Sequence, residues 1–131
     1  MVFPQGKLKE TTEVVIPDGV TTIHWAAFSG LGVTGIKFPD TLTTIGDNAF
    51  SNSSLRNIII PSSVTTIGHA AFTNCQSLES VRVEKTTPPT GSKYMFDECT
   101  SLTTIYVPTS AVNAYKTATY WKNYANKIVG Y

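Results

Sequence analysis

VTTIHWAAF at 20–28, LTTIGDNAF at 42–50 and VTTIGHAAF at 64–72 are three copies of one phrase. Their phenylalanines Phe28, Phe50 and Phe72 recur at one fixed interval, and Phe96 follows after a slightly longer one. A second phrase interleaves with the first: VVIP at 14–17, IKFP at 36–39, IIIP at 58–61, VRVE at 81–84 and IYVP at 105–108. A strand-sized apolar alternation recurring at this period predicts parallel strands stacked into a solenoid. The unit is too short to hold a strand and a long crossover helix. Each turn is therefore a compact coil: a strand, a corner after proline, a short second segment, a phenylalanine corner and a return.

Period-two alternation sends Ile36 and Phe38 inward and Lys37 outward. Ile58 and Ile60, Val81 and Val83, and Ile105 and Val107 repeat the arrangement. Successive rungs of such a coil lie about 4.8 Å apart, so equivalent residues form ladders. Phe28, Phe50, Phe72 and Phe96 are expected to stack as one aromatic column. Pro17, Pro39, Pro61 and Pro108 each close a strand, where a missing N–H is tolerated.

The pattern L-x-x-I-x-I-P followed by V-T-T-I-G-x-x-A-F-x-x-C-x-x-L resembles the BspA-like leucine-rich repeats of bacterial surface proteins, over residues 14–108. The tail, VPTSAVNAYKTATYWKNYANKI at 107–128, is similar to the cap that closes such arrays. The resemblance implies a right-handed solenoid, displayed on a cell surface or secreted, with a role in adhesion or partner binding. The repeat motif is structural and brings no catalytic residue with it. The expected architecture is an α/β repeat fold with about five short parallel strands, few helices and a short helical C-terminal cap. Residues 1–13 read as an N-terminal cap or a truncated repeat, 14–108 as the repeats and 109–131 as the cap.

A solenoid leaves raw strand edges at both ends. At the C-terminal end Ser110 is placed to N-cap a short helix, and Tyr115, Tyr120, Trp121 and Tyr124 supply aromatic area to lie over the last rung. The same tail makes Tyr115, Tyr120 and Trp121 a secondary candidate for glycan stacking. At the other end an uncovered first rung would allow edge-to-edge pairing with a second copy.

Composition narrows the function classes. Of the 131 residues 15% are charged and the formal net charge is +1, so there is no basic footprint for a nucleic-acid backbone. No apolar run approaches the roughly 18 residues of a membrane-spanning helix. The opening MVFPQGKLKE has no apolar core of a signal peptide. Two cysteines are too few for a disulfide scaffold or a zinc site of their own. Neither nucleic acid, membrane insertion nor a cofactor is expected.

Few residues suggest chemistry. Cys75 and Cys99 hold equivalent positions on consecutive turns, at a separation compatible with a disulfide and equally with two buried thiols behaving as small apolar groups. Leu31 and Ser53 hold that place in the shorter turns, which favours an inward core site. His24 and His69 occupy different repeat positions and form no ladder. No nucleophile elbow, zinc-protease helix or phosphate loop is present, so catalysis is not expected. Asp40-Thr41-Leu42 and Asn52-Ser53-Ser54 have the form of glycosylation acceptors, but both fall where the repeat wants a polar corner. The pairs Thr21-Thr22, Thr43-Thr44 and Thr65-Thr66 are expected to make hydroxyl ladders.

The outward strand face is the stronger candidate, because solenoids commonly dock partners there. Its central column is Val15, Lys37, Ile59, Arg82 and Tyr106, flanked by Arg56 and Glu79 among others. Ile59, Arg82 and Tyr106 combine apolar, guanidinium and aromatic groups, a mixture enriched at interface centres. The candidate ligand face is therefore Lys37, Arg56, Ile59, Arg82 and Tyr106, and the expected function is non-catalytic recognition of a host or neighbouring-cell protein or glycan. The alternative is a structural spacer that displays another domain and binds nothing itself.

Overall fold

Alternation of apolar and polar side chains sets the first layer. The computed structural model describes residues 12–131, and every turn in it opens with a short strand. These are β1 Glu13–Val15, β3 Gly35–Lys37, β5 Asn57–Ile60, β7 Ser80–Val83 and β8 Thr104–Val107. Between the earlier ones lie the short strands β2 Thr22–Ile23, β4 Thr44–Ile45 and β6 Thr66–Ile67. All pairings are parallel: β1 with β3, β2 with β4 and β6 in a second ladder, and β5 with β7 and β8 in a third. The five expected strands are all present. Ile58, Ile60, Val81, Val83, Ile105 and Val107 are buried as the alternation requires. Burying each such side chain contributes roughly 1.5–3 kcal/mol.

The phenylalanine column forms. Phe28 stacks on Phe50 at 5.2 Å, Phe50 on Phe72 at 5.3 Å and Phe72 on Phe96 at 5.5 Å, with ring planes within 11° of parallel. Around each phenylalanine the backbone accounts for its donors alternately. The amides of Ala26, Phe28 and Gly30 donate to the carbonyls of Asp47, Ala49 and Ser51 on the next turn, while Ala27, Ser29 and Leu31 donate back within their own turn. Reversing direction this tightly needs left-handed backbone at two places per turn. Ala26, Asn48, Ala70 and Tyr94 fill the first, and Gly30, Asn52, Asn74 and Glu98 the second.

The C-terminal segment departs from a purely helical cap. After Pro108 comes a 3-10 turn, Thr109–Ala111, then α1 Val112–Thr117, a 3-10 stretch Trp121–Lys127 and a further strand, β9 Ile128–Gly130. Strand β9 pairs parallel with β8, Tyr106 opposite Val129, so the sheet gains one rung from the tail. The expected Ser110 cap does not form: Ser110 lies inside the 3-10 turn, α1 starts from Ala111, and neither helical segment has a side-chain cap bond. The aromatic residues cover the last turn as expected. Tyr115 and Trp121 are completely buried, the Tyr115 hydroxyl donating to the Lys85 carbonyl at 2.7 Å and the Trp121 Nε1–H to the Pro89 carbonyl at 2.8 Å. The expected N-terminal unit, 1–13, lies outside the described residues apart from Thr12 and Glu13, and Glu13 already belongs to β1.

Candidate functional site

Three facts of local structure build the strand face. The pleat turns alternate residues outward, parallel register places equivalent residues side by side, and the tail adds a rung. Ile59, Arg82, Tyr106 and Val129 are consecutive partners across β5, β7, β8 and β9. Ile59 is 54% exposed, Tyr106 38% and Val129 43%, so an apolar strip crosses this part of the sheet with one guanidinium in it.

Arg82 does not float. Its guanidinium sits 3.8 Å from the centroid of the Tyr131 ring, and its Nε lies 4.0 Å from a Glu84 carboxylate oxygen. The cation on the aromatic face and the carboxylate together hold the group in a defined position while leaving it open to solvent.

Ladder pairing links three of the five candidates, Ile59, Arg82 and Tyr106, and Arg56 lies beside them. Lys37 is exposed on β3, which pairs with β1 and not with β5. The two sheet sections are joined beside the strands through the Arg56 amide, which donates to the Thr34 carbonyl at 3.1 Å. Arg56 is exposed just before β5, one rung from Glu79, whose amide donates to the Arg56 carbonyl at 2.7 Å. Ile59, Arg82 and Tyr106 thus form the centre, and Lys37 and Arg56 lie toward its N-terminal side. Sequence reading misses Val129 and Tyr131. A signal for them is nevertheless present, since Ile128 follows Ile105 at close to the repeat period.

The secondary aromatic candidate is corrected. Tyr115 and Trp121 are fully buried and Tyr120 is partly so; the first two rings are spent on the core and offer no stacking face. Trp121 instead continues the phenylalanine column, its ring 6.1 Å from Phe96.

Cys75 and Cys99 are buried free thiols. Each donates to a phenylalanine carbonyl of the preceding turn, Cys75 to Phe50 and Cys99 to Phe72, both at 3.1 Å. Ser53 continues the ladder, its Oγ 3.2 Å from the Cys75 sulfur. Leu31, expected inward at the same repeat position, is 49% exposed instead. The adjoining Cys75 thiol, then burial, keeps the Cys99 thiol protonated well above the ordinary range. These groups serve the core.

The polar corners are likewise occupied. Thr41 Oγ1 donates to the Val20 carbonyl at 2.8 Å and accepts from the Gly19 amide, and the Asn52 carboxamide accepts from Asn74. Thr43 and Thr65 do not bond hydroxyl to hydroxyl; they donate to the carbonyls of Thr21 and Thr43 one turn back. His69 stands edge-on to Tyr94 at 5.4 Å, and its amide is held by the Asp47 carboxylate at 2.8 Å. Among the described residues no helix is long and apolar enough to cross a membrane.

Comparison with known proteins agrees with this geometry. The pattern of the BspA type Leucine rich repeat region matches residues 6–125, in six copies. No curated protein matches the chain. Among solved structures, a leucine-rich repeat protein from Bacteroides ovatus superposes with a TM-score of 0.66 at 28% identity, covering 72% of this chain and 25% of that one. A leucine rich cell surface protein from Faecalibacterium prausnitzii gives 0.57 at 26% identity, covering 76% and 36%. The pneumococcal vaccine antigen PcpA gives 0.60 at 23% identity over 84% of this chain and 34% of its own, a likeness of fold. The chain thus spans about a quarter to a third of the length of these proteins.

Proposed function

The chain belongs to the BspA-type leucine-rich repeat family, and we propose that it works as a non-catalytic binding module, displayed on a cell surface or secreted, that docks a protein partner on its open strand face. The observation that carries this reading is the registered row Ile59–Arg82–Tyr106–Val129, with Arg82 seated over Tyr131. A flat row of apolar and aromatic side chains around one guanidinium is the composition of an interface centre. Because stacked rungs already hold these groups, docking loses little ordering entropy. Surface display is supported by the cell surface protein from F. prausnitzii, which shares the fold and about a quarter of its aligned residues.

The test is a binding screen of the purified chain against extracellular-matrix proteins, beside the variant Lys37→Glu/Arg82→Glu/Tyr106→Ala with its melting temperature checked. A partner bound by the wild type and weakened about tenfold or more by the variant supports the strand face. Equal binding by both moves the site elsewhere.

A second reading is a spacer within a longer array. It is favoured by the coverage of only a quarter to a third of the related structures. A spacer would be sensitive to substitution at the buried ladders alone, and its strand face could be recharged without consequence.

A further inference from the structure

Where the last phenylalanine corner meets the tail, Lys93, Tyr94, Asp97, Tyr120, Asn123 and Tyr124 line an open cleft of about 460 Å³. Two of its walls are unusual. Eight non-glycine residues among those described have positive φ, and seven of them hold the repeated corner positions, six being alanine, asparagine or glutamate and the seventh Tyr94. The two tyrosines among the eight, Tyr94 at φ 64° on a repeat corner and Tyr120 at φ 70° in the tail, both line this cleft. Left-handed backbone is costly for a bulky side chain, and such strain gathers at ligand clamps. Packing does not account for Tyr94. The earlier turns put Ala26, Asn48 and Ala70 at its place, and its side chain is 52% exposed. The His69 ring standing edge-on to it fixes its orientation instead.

The polar lining is as specific. The Tyr124 hydroxyl donates to Asp97 Oδ1 at 2.6 Å, which orients the carboxylate and leaves its other oxygen able to accept. Lys93 and Asn123 are exposed, adding a cationic donor and a carboxamide that both donates and accepts. One ammonium against one carboxylate leaves the cleft without a net preference for charge. Aromatic faces beside paired donors and acceptors suit a ligand with an apolar C–H face and a rim of hydroxyls.

We propose that this cleft binds a neutral pyranose unit of a glycan, gripped by Tyr94 and Tyr120 and oriented by Asp97, Asn123 and Lys93. The site lies at the corner, apart from the strand face, and does not depend on the docking reading above.

The test is a saturation-transfer and amide-shift NMR titration with the methyl glycosides of glucose, galactose, mannose and N-acetylglucosamine, with a methyl uronide as the charged comparison. The variants are Tyr94→Gly, Asn123→Ala and the strand-face triple substitution. At least one neutral glycoside should shift the amides of Tyr94, Tyr120 and Asn123. Tyr94→Gly should melt no lower than the wild type, because glycine suits that backbone, yet bind several-fold more weakly. Asn123→Ala, at an exposed position, should weaken binding while the fold is kept, and the strand-face variant should bind as the wild type does. No shift with any neutral glycoside, binding of the uronide alone, or undiminished affinity in both Tyr94→Gly and Asn123→Ala overturns the proposal.

Discussion

The backbone N–H of Phe96 donates to the hydroxyl of Tyr124 at 3.1 Å. In the three preceding turns the equivalent amides, Phe28, Phe50 and Phe72, donate to carbonyls of the next turn, those of Ala49, Ala71 and Met95. Among the described residues no phenylalanine corner stacks beyond Phe96, so a side chain from the tail takes the place of the missing carbonyl and donates its own hydrogen bond to Asp97. The tail therefore continues the hydrogen-bond pattern of the array as well as covering its apolar end. Replacing Tyr124 by phenylalanine keeps the ring and strands the buried Phe96 amide, at a cost of about 1–3 kcal/mol. Urea unfolding measures the cost, and amide exchange at Phe96 should quicken; unchanged stability would mean water satisfies the group.

The aromatic column should show a gradient. Phe50 is completely buried between two parallel rings, whereas Phe28 is partly exposed at the end of the described column. Phe50→Ala should cost about 3–5 kcal/mol, and Phe28→Ala clearly less. Equal losses in thermal or urea unfolding would show that column position does not set the contribution.

The glycine in V-T-T-I-G has a steric reason. A Cβ on Gly68 would stand 2.5 Å from the Asp47 backbone nitrogen, and one on Gly46 would stand 2.7 Å from the Ile23 carbonyl oxygen. Both clashes are with the backbone of the preceding turn, which cannot move without opening the rung. Gly68→Ala should destabilise by about 1–3 kcal/mol. His24, the equivalent residue, has no described turn on that side. A Gly68→Ala protein as stable as the wild type in urea would show that the rungs can part.

Alkaline pH should loosen the tail first. Burial, then the hydrogen bond to Asp97, holds the Tyr124 hydroxyl protonated well above its ordinary value of 10.0. Burial, then the nearby Tyr131, does the same for Tyr115. The unfolded chain releases these protons near the ordinary value while the folded chain keeps them. The stability they contribute is thus complete below about pH 10 and declines as pH rises above it. Melting temperatures across that range should fall, and Tyr115→Phe should lessen the fall. A level profile would contradict the burial assigned to these hydroxyls.

The repeat architecture is legible in the residues alone. Near-identical short units that each bury one face can only stack, and stacking puts Phe28 over Phe50 and Ile58 beside Val81. The outward positions of Ile59, Arg82 and Tyr106 followed from alternation alone. Packing in three dimensions sets what happens where the near-copies end. It turned Ile128–Gly130 into a strand, buried Tyr115 and Trp121, placed Tyr131 under Arg82 and gathered Tyr94, Asp97, Tyr120 and Asn123 around one cleft. Those contacts join the tail to residues about one to two turns earlier in the coil. Only the spacing of Ile128 after Ile105 hints at them in the sequence, and their geometry follows from how the tail packs to satisfy the last open amides and apolar rings.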